Sequence, residues 1–92
     1  MNEPSLTGDR EQLGREILRY CVAYPDAKDT VDGILKWWVE PDRVRITEQN
    51  VRQVLEALAE AQWLIKREMT PTRTIYGLNK SRLKEIKKFL NG

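Results

Sequence analysis

The apolar pattern of this chain changes period at Gln62, and that change limits the folds open to it. Upstream, apolar side chains recur at helical spacing in three segments; downstream they alternate over two short runs and then return to helical spacing. A stretch patterned on 3.6 residues buries one stripe as a helix, and one patterned on two residues buries one face as a strand. Helices must therefore share a core with a small piece of sheet. At 92 residues there is room for one such core and little left over for deep pockets.

Along the chain, Asp9 followed by Gln12 has the form of a capping box, so a first helix is expected from about Arg10. Leu13, Ile17, Tyr20, Cys21 and Tyr24 give its buried face, and Pro25 ends it because the residue before proline is pushed out of helical geometry. Asp29 or Thr30 caps a second helix, in which Val31, Ile34, Leu35, Trp38 and Val39 follow helical spacing without a gap and Gly33 is a slight weakness. Glu40 to Ile46, with Pro41 and Asp42, reads as a turn. Thr47 caps a third helix, stapled by Ile46 against Val51, with Val51, Val54, Leu55, Leu58 and Ala61 or Gln62 inward. Trp63 to Met69 alternates, and Thr74 to Leu78 is β-branched and aromatic. With Thr70, Pro71, Thr72 and Arg73 between them, these form a two-stranded hairpin with a basic tip. Asn79 or Ser81 then caps a last helix with Leu83, Ile86, Phe89 and Leu90 on one side and Lys84, Lys87 and Lys88 largely on the other. The fold class is mainly α with a small two-stranded β wing, arranged helix-helix-helix-hairpin-helix, with a flexible segment over 1–8 and one domain over 9–90.

Charge is divided along the chain. Residues 1–62 carry eight basic and twelve acidic side chains, whereas residues 63–92 carry eight basic and two acidic. A one-sided positive field of this kind attracts anionic partners. No apolar run is long enough to span a membrane, and the start of the chain is not a basic stretch followed by an apolar block. With a single cysteine, Cys21, the expectation is a cytoplasmic protein without an internal disulfide. The absence of histidine removes the commonest general base and metal ligand, and Cys21 lies on an apolar helix face where thiols are inert. The five glycines are isolated, so no phosphate-cradling loop exists. Asp26, Asp29 and Asp32 lack the ligand-rich loop that calcium requires. The chain is expected to be a binding protein rather than an enzyme, with neither cofactor nor metal.

The capped helix Thr47 to Gln62, the tail Ala59-Glu60-Ala61-Gln62-Trp63-Leu64-Ile65-Lys66-Arg67 and the strand Thr74-Ile75-Tyr76-Gly77-Leu78 together resemble the winged-helix superfamily, from about Asp9 to Leu90. Many winged-helix regulators hold a leucine-rich recognition helix, a Gly-Leu-Ile-like strand entry and a Tyr-x-Leu strand at these places. Two departures stand out. Gln62-Trp63 replaces a common glycine, and the turn Glu40 to Ile46 exceeds the usual three or four residues.

The resemblance implies a third helix lying in the major groove of double-stranded DNA, read by side chains that donate and accept in pairs. Gln49, Asn50, Arg52 and Gln53 are the implied base contacts, and Arg43, Arg45, Lys66, Arg67 and Arg73 the implied phosphate contacts. Glu48, Glu56 and Glu60 on the same helix oppose that role by repelling phosphate. Trp37 lies off the stripe that buries Trp38 and is a candidate protein-interface anchor, which makes a protein-interaction module the rival reading. A homodimer on a palindromic site is a further expectation, with the apolar stripe of the last helix covered either by the first helix or by a second copy.

Overall fold

A computed structural model describes Leu6, residues 8–39 and residues 47–91. It is a mainly helical globule with a small antiparallel sheet. Helix α1 (Asp9–Ala23) leads into strand β1 (Lys28–Asp29), and α2 (Val31–Gly33) runs on as a π-helical turn (Ile34–Trp38). Helix α3 (Glu48–Glu60), the hairpin β2 (Leu64–Thr70) and β3 (Arg73–Leu78), a 3-10 turn (Lys80–Arg82) and α4 (Leu83–Asn91) complete the order. Within segment 1–8 only Leu6 and Gly8 are described, and Leu6 packs against the core. The expected Ile46 staple lies outside the described residues. No helix among the described residues is long and apolar enough to cross a membrane.

The first helix begins one residue earlier than its spacing suggests. Gly8, at φ 58°, is the N-cap, and no side chain caps the helix. The Asp9–Gln12 box is not formed. Asp9 is instead the first helical residue, where its negative charge favours the N-terminal end of the helix dipole. Leu13, Ile17, Leu18 and Cys21 are buried, while Tyr24, expected inward, is largely exposed as the C-cap. Its ring lies 4.8 Å from that of Tyr20, which stacks on Trp38 at 4.7 Å.

Two features of the next segment depart from the expectation. The first is a third strand: β1 pairs antiparallel with β3, Lys28 opposite Gly77 and Asp29 opposite Tyr76, so the sheet has the order β1-β3-β2 rather than two strands. The second is the π-helical turn within the second helix. Val31, Ile34, Trp38 and Val39 are buried all the same, so the altered turn keeps the apolar stripe on the core. Thr30 is the cap, its Oγ1 accepting from the Gly33 amide at 3.2 Å. Gly33 has a packing role here: a Cβ at this position would run into the Asp29 carboxylate, which accepts from the Thr30 amide at 2.8 Å.

Helix α3 closes with the two bonds of a Schellman motif. The Gln62 amide donates to the Ala59 carbonyl and the Trp63 amide to the Leu58 carbonyl, both at 3.0 Å. The motif needs a left-handed residue after the cap, and Gln62 supplies it at φ 67°. This is the place where the sequence lacks the expected glycine. A side chain in that conformation costs about 1–2 kcal/mol, offset in part by the greater unfolded-state freedom of glycine. Gln62 also accepts an exposed hydrogen bond from Arg82 at 3.0 Å. Gln62→Gly is therefore expected to stabilise the fold by about 0.5 kcal/mol, and Gln62→Val to destabilise it by about 1 kcal/mol or more, because β-branching is poorly tolerated at positive φ. Urea unfolding midpoints of both variants check the sign.

The hairpin turns at Pro71 and Thr72, with an irregularity between Glu68 and Thr70. Leu64, Tyr76 and Leu78 bury its root, joining the core formed by Ile17, Leu18, Ile34, Val51, Val54, Leu55, Leu58 and Ile86. Asn79 caps the following 3-10 turn by accepting from the Ser81 amide. Ile86 is buried, and Leu83, Phe89 and Leu90 pack on the same core. The apolar stripe of α4 is thus covered within the chain. Phe89 meets Trp63 edge-on at 5.2 Å and carries the Arg15 guanidinium over its face at 4.4 Å.

Candidate functional site

The outer surface of α3 is fixed by its inner one. With Val51, Val54, Leu55 and Leu58 at zero exposure, the 3.6-residue period turns Gln49, Gln53 and Glu60 outward, and these three are exposed. Arg52 and Asn50 occupy opposite shoulders, about 160° apart around the axis. Arg52 is exposed, whereas Asn50 is half-buried, its amide held by the Thr47 hydroxyl at 3.1 Å. The four polar residues read from the sequence as one cluster therefore spread over one broad face: Gln49 and Gln53 lie at its centre, Arg52 flanks Gln49 on one shoulder, and half-buried Asn50 flanks Gln53 on the other.

The shoulder bearing Arg52 and Glu56 faces the hairpin. Alternation along β2 puts Lys66 on the same face as buried Leu64, and its ammonium donates to the Glu56 carboxylate at 2.8 Å. The Tyr76 hydroxyl donates to the same oxygen, also at 2.8 Å. Lys66 and then Tyr76 hold the Glu56 carboxyl below the usual carboxylate range, and Glu56 in turn raises the Lys66 ammonium. Burial, followed by the bond to Glu56, pushes the Tyr76 hydroxyl up to about 12. Lys66 is thereby engaged with the helix. Arg52 is likewise paired, with Glu48 at 2.7 Å.

Between the start of α2, the start of α3 and the hairpin tip lies an open cleft of about 220 Å³, lined by Thr30, Val31 and Asp32, by Glu48 and Arg52, and by Thr72, Arg73 and Thr74. It brings Arg52 and Arg73 to one site. Asp32 is occupied by Lys36 at 3.2 Å and Glu48 by Arg52, while Arg73 takes part in no ion pair among the described residues. Arg67 does not join this group, since it alternates with Lys66 and faces the other side of the sheet, near Ile75. Arg43 and Arg45 lie outside the described residues. Trp37, on the π-helical turn, is 73% exposed.

The arrangement offers hydrogen bonds and charge. Asp26 meets Lys80, Asp29 meets the Thr30 amide and Asp32 meets Lys36, so the three carboxylates serve different partners. Among the described residues no group of acids and cysteine is placed to hold a metal ion. The cluster of Glu56, Lys66 and Tyr76 was not legible from spacing, because it joins a helix to two strands. The Glu48–Arg52 pair was legible: a glutamate four residues before an arginine on one helix is a favourable ion-pair spacing. No family model, curated protein or solved structure matches this chain.

Proposed function

We propose that this chain is a winged-helix module that binds double-stranded DNA, with α3 in the major groove and the β2–β3 hairpin as the wing against the neighbouring backbone. The observation that carries the reading is the shared cleft of Arg52 and Arg73: helix and hairpin tip present guanidinium groups to the same side, and that of Arg73 is free of ion pairing among the described residues. The outward amides of Gln49 and Gln53 suit adenine edges, and Arg52 suits guanine once it leaves Glu48. Lys66 neutralises Glu56, which limits the repulsion that α3 would offer to phosphate.

Titration of a random-sequence duplex across a range of salt concentrations tests this. Arg73→Ala is expected to weaken binding and to flatten the salt dependence by about one unit of slope. Joint replacement of Gln49 and Gln53 by alanine removes sequence preference, at about 1–3 kcal/mol for each bidentate pairing with a base. No detectable duplex binding at low salt overturns the reading, since the electrostatic attraction is then strongest.

One observation favours a second reading, a protein-interaction module: the exposure of Trp37 beside a helix end. On that reading Trp37→Ala costs a partner complex about 2 kcal/mol or more and leaves the unfolding midpoint in place. A homodimer on a palindrome would double the base contacts, but it has to use a surface other than the covered stripe of α4.

A further inference from the structure

The sheet has a second face, turned away from α3, whose chemistry differs from that of the cleft. Alternation along the hairpin puts Ile65 and Arg67 of β2 and Ile75 and Gly77 of β3 on this face, with Ile65 opposite Gly77 and Arg67 opposite Ile75. Lys28 of β1 joins them, because its partner in the ladder is Gly77. Together with Leu78 these residues line a notch of about 40 Å³, the room needed by the tip of one aliphatic side chain. Gly77 forms the floor: a Cβ there would stand 2.9 Å from Lys28 Cγ and displace it. Ile65, the second residue of the edge strand β2, is 47% exposed.

The charge around the notch has one sign. Lys28 and Arg67 flank it, neither takes part in an ion pair among the described residues, and no carboxylate lines it. The nearby carboxylates are engaged elsewhere. Asp26 lies within electrostatic reach of Lys28 but is ion-paired with Lys80, Asp29 holds the Thr30 amide, and Glu68 is paired across the hairpin with Thr74 on the α3 side of the sheet. We propose that this face docks an acidic segment of a partner protein, seating one aliphatic side chain between Ile65 and Ile75, beside the Lys28 stem that lies over Gly77, while its carboxylates reach Lys28 and Arg67. An apolar seat flanked by two unpaired cations complements such a segment in both shape and charge. Single-stranded nucleic acid is the poorer match, because no aromatic ring lines the notch and bases have nothing to stack on. The site is separate from the proposed DNA-binding surface and does not depend on it.

The test is an amide-resolved NMR titration of the full chain with a blocked peptide of sequence Glu-Asp-Leu-Asp-Glu. The expected result is a set of shifts centred on Ile65, Arg67, Ile75 and Gly77. Joint replacement Lys28→Glu and Arg67→Glu weakens the interaction about tenfold or more, and Ile65→Ala weakens it severalfold. Lys28 and Arg67 are exposed, so an unchanged unfolding midpoint confirms that the double variant is folded. Shifts centred elsewhere, no shifts, or undiminished binding by the charge-reversed variant overturn the proposal. So does an oligothymidylate that moves these amides when the peptide does not.

Discussion

Trp63→Ala is expected to remove about 3–5 kcal/mol of stability, the range for truncating a buried aromatic side chain. A domain of this length holds about 5–10 kcal/mol in total, so the variant should stand close to unfolding at room temperature. The size of the effect follows from position. Trp63 is 1% exposed and follows the left-handed turn that ends α3. Its carbonyl accepts from the Asn79 amide at 3.0 Å, and its ring packs on Phe89 of α4. This one residue therefore joins the end of α3, the root of the hairpin and the last helix, with its backbone carbonyl making the first link and its buried ring the link to α4. Its indole Nε1 is buried without an acceptor among the described residues. Trp63→Phe removes that unmatched donor along with some volume, so its cost should be much smaller, about 1–2 kcal/mol. Urea unfolding of both variants checks the contrast, and equal losses would show that the indole edge, not the apolar volume, carries the stability.

Alkaline solution is expected to destabilise the fold by a comparable amount. Burial pushes the Cys21 thiol up to about 12. In the unfolded chain this thiol ionises near its ordinary value of about 8.5–9. Its folded pKa is raised, so its contribution is fully present below the unfolded value and is lost as pH rises towards the folded one, at about 1.4 kcal/mol for each pH unit. Across that window the loss amounts to about 4 kcal/mol. Tyr76, also pushed up to about 12, acts in the same direction, beginning near its unfolded value of about 10. Between about pH 9 and 10 the slope therefore belongs chiefly to Cys21. Urea midpoints should fall through this interval for the natural chain and stay nearly level for Cys21→Ala, whose own cavity cost is independent of pH. A level midpoint in the natural chain would show that the thiol reaches solvent.

The elements that could be read from sequence are those whose burial and local chemistry agree. Helix α3 has a capping Thr47 and an unbroken inward stripe, and the hairpin has a switch to alternation bracketing a proline turn. Both stand where the pattern put them. Strand β1 was not legible because Lys28 and Asp29 are two charged residues with no alternation to show. Their pairing is set by the sheet edge that β3 presents, which is a tertiary circumstance. The π-helical turn was hidden for another reason: inward residues at Ile34 and Trp38 suit either helix type, so apolar spacing does not separate them. At the candidate site, residue types were legible and their grouping was not. Asn50 and Arg52 are near neighbours in sequence but stand on opposite shoulders of α3. Lys66 and Arg67 are adjacent in sequence and face opposite sides of the sheet.

The middle place of β3 in the sheet also bears on the order in which the molecule assembles. Helices α1 and α3 and the β2–β3 hairpin each join residues close in sequence, whereas the β1–β3 ladder forms only when Asp29 meets Tyr76 across about half of the chain. Closing a loop of that length is entropically costly, and just two residue pairs offset it, so this join should form late and open first. Its opening frees one edge of β3 without undoing the cleft, because the α2 wall is rooted in the core by Val31 and Ile34 just as the α3 wall is by Val51, Val54, Leu55 and Leu58. The cleft that gathers Arg52 and Arg73 thus keeps both its walls when the outer ladder frays, and its shape does not depend on the last join to form.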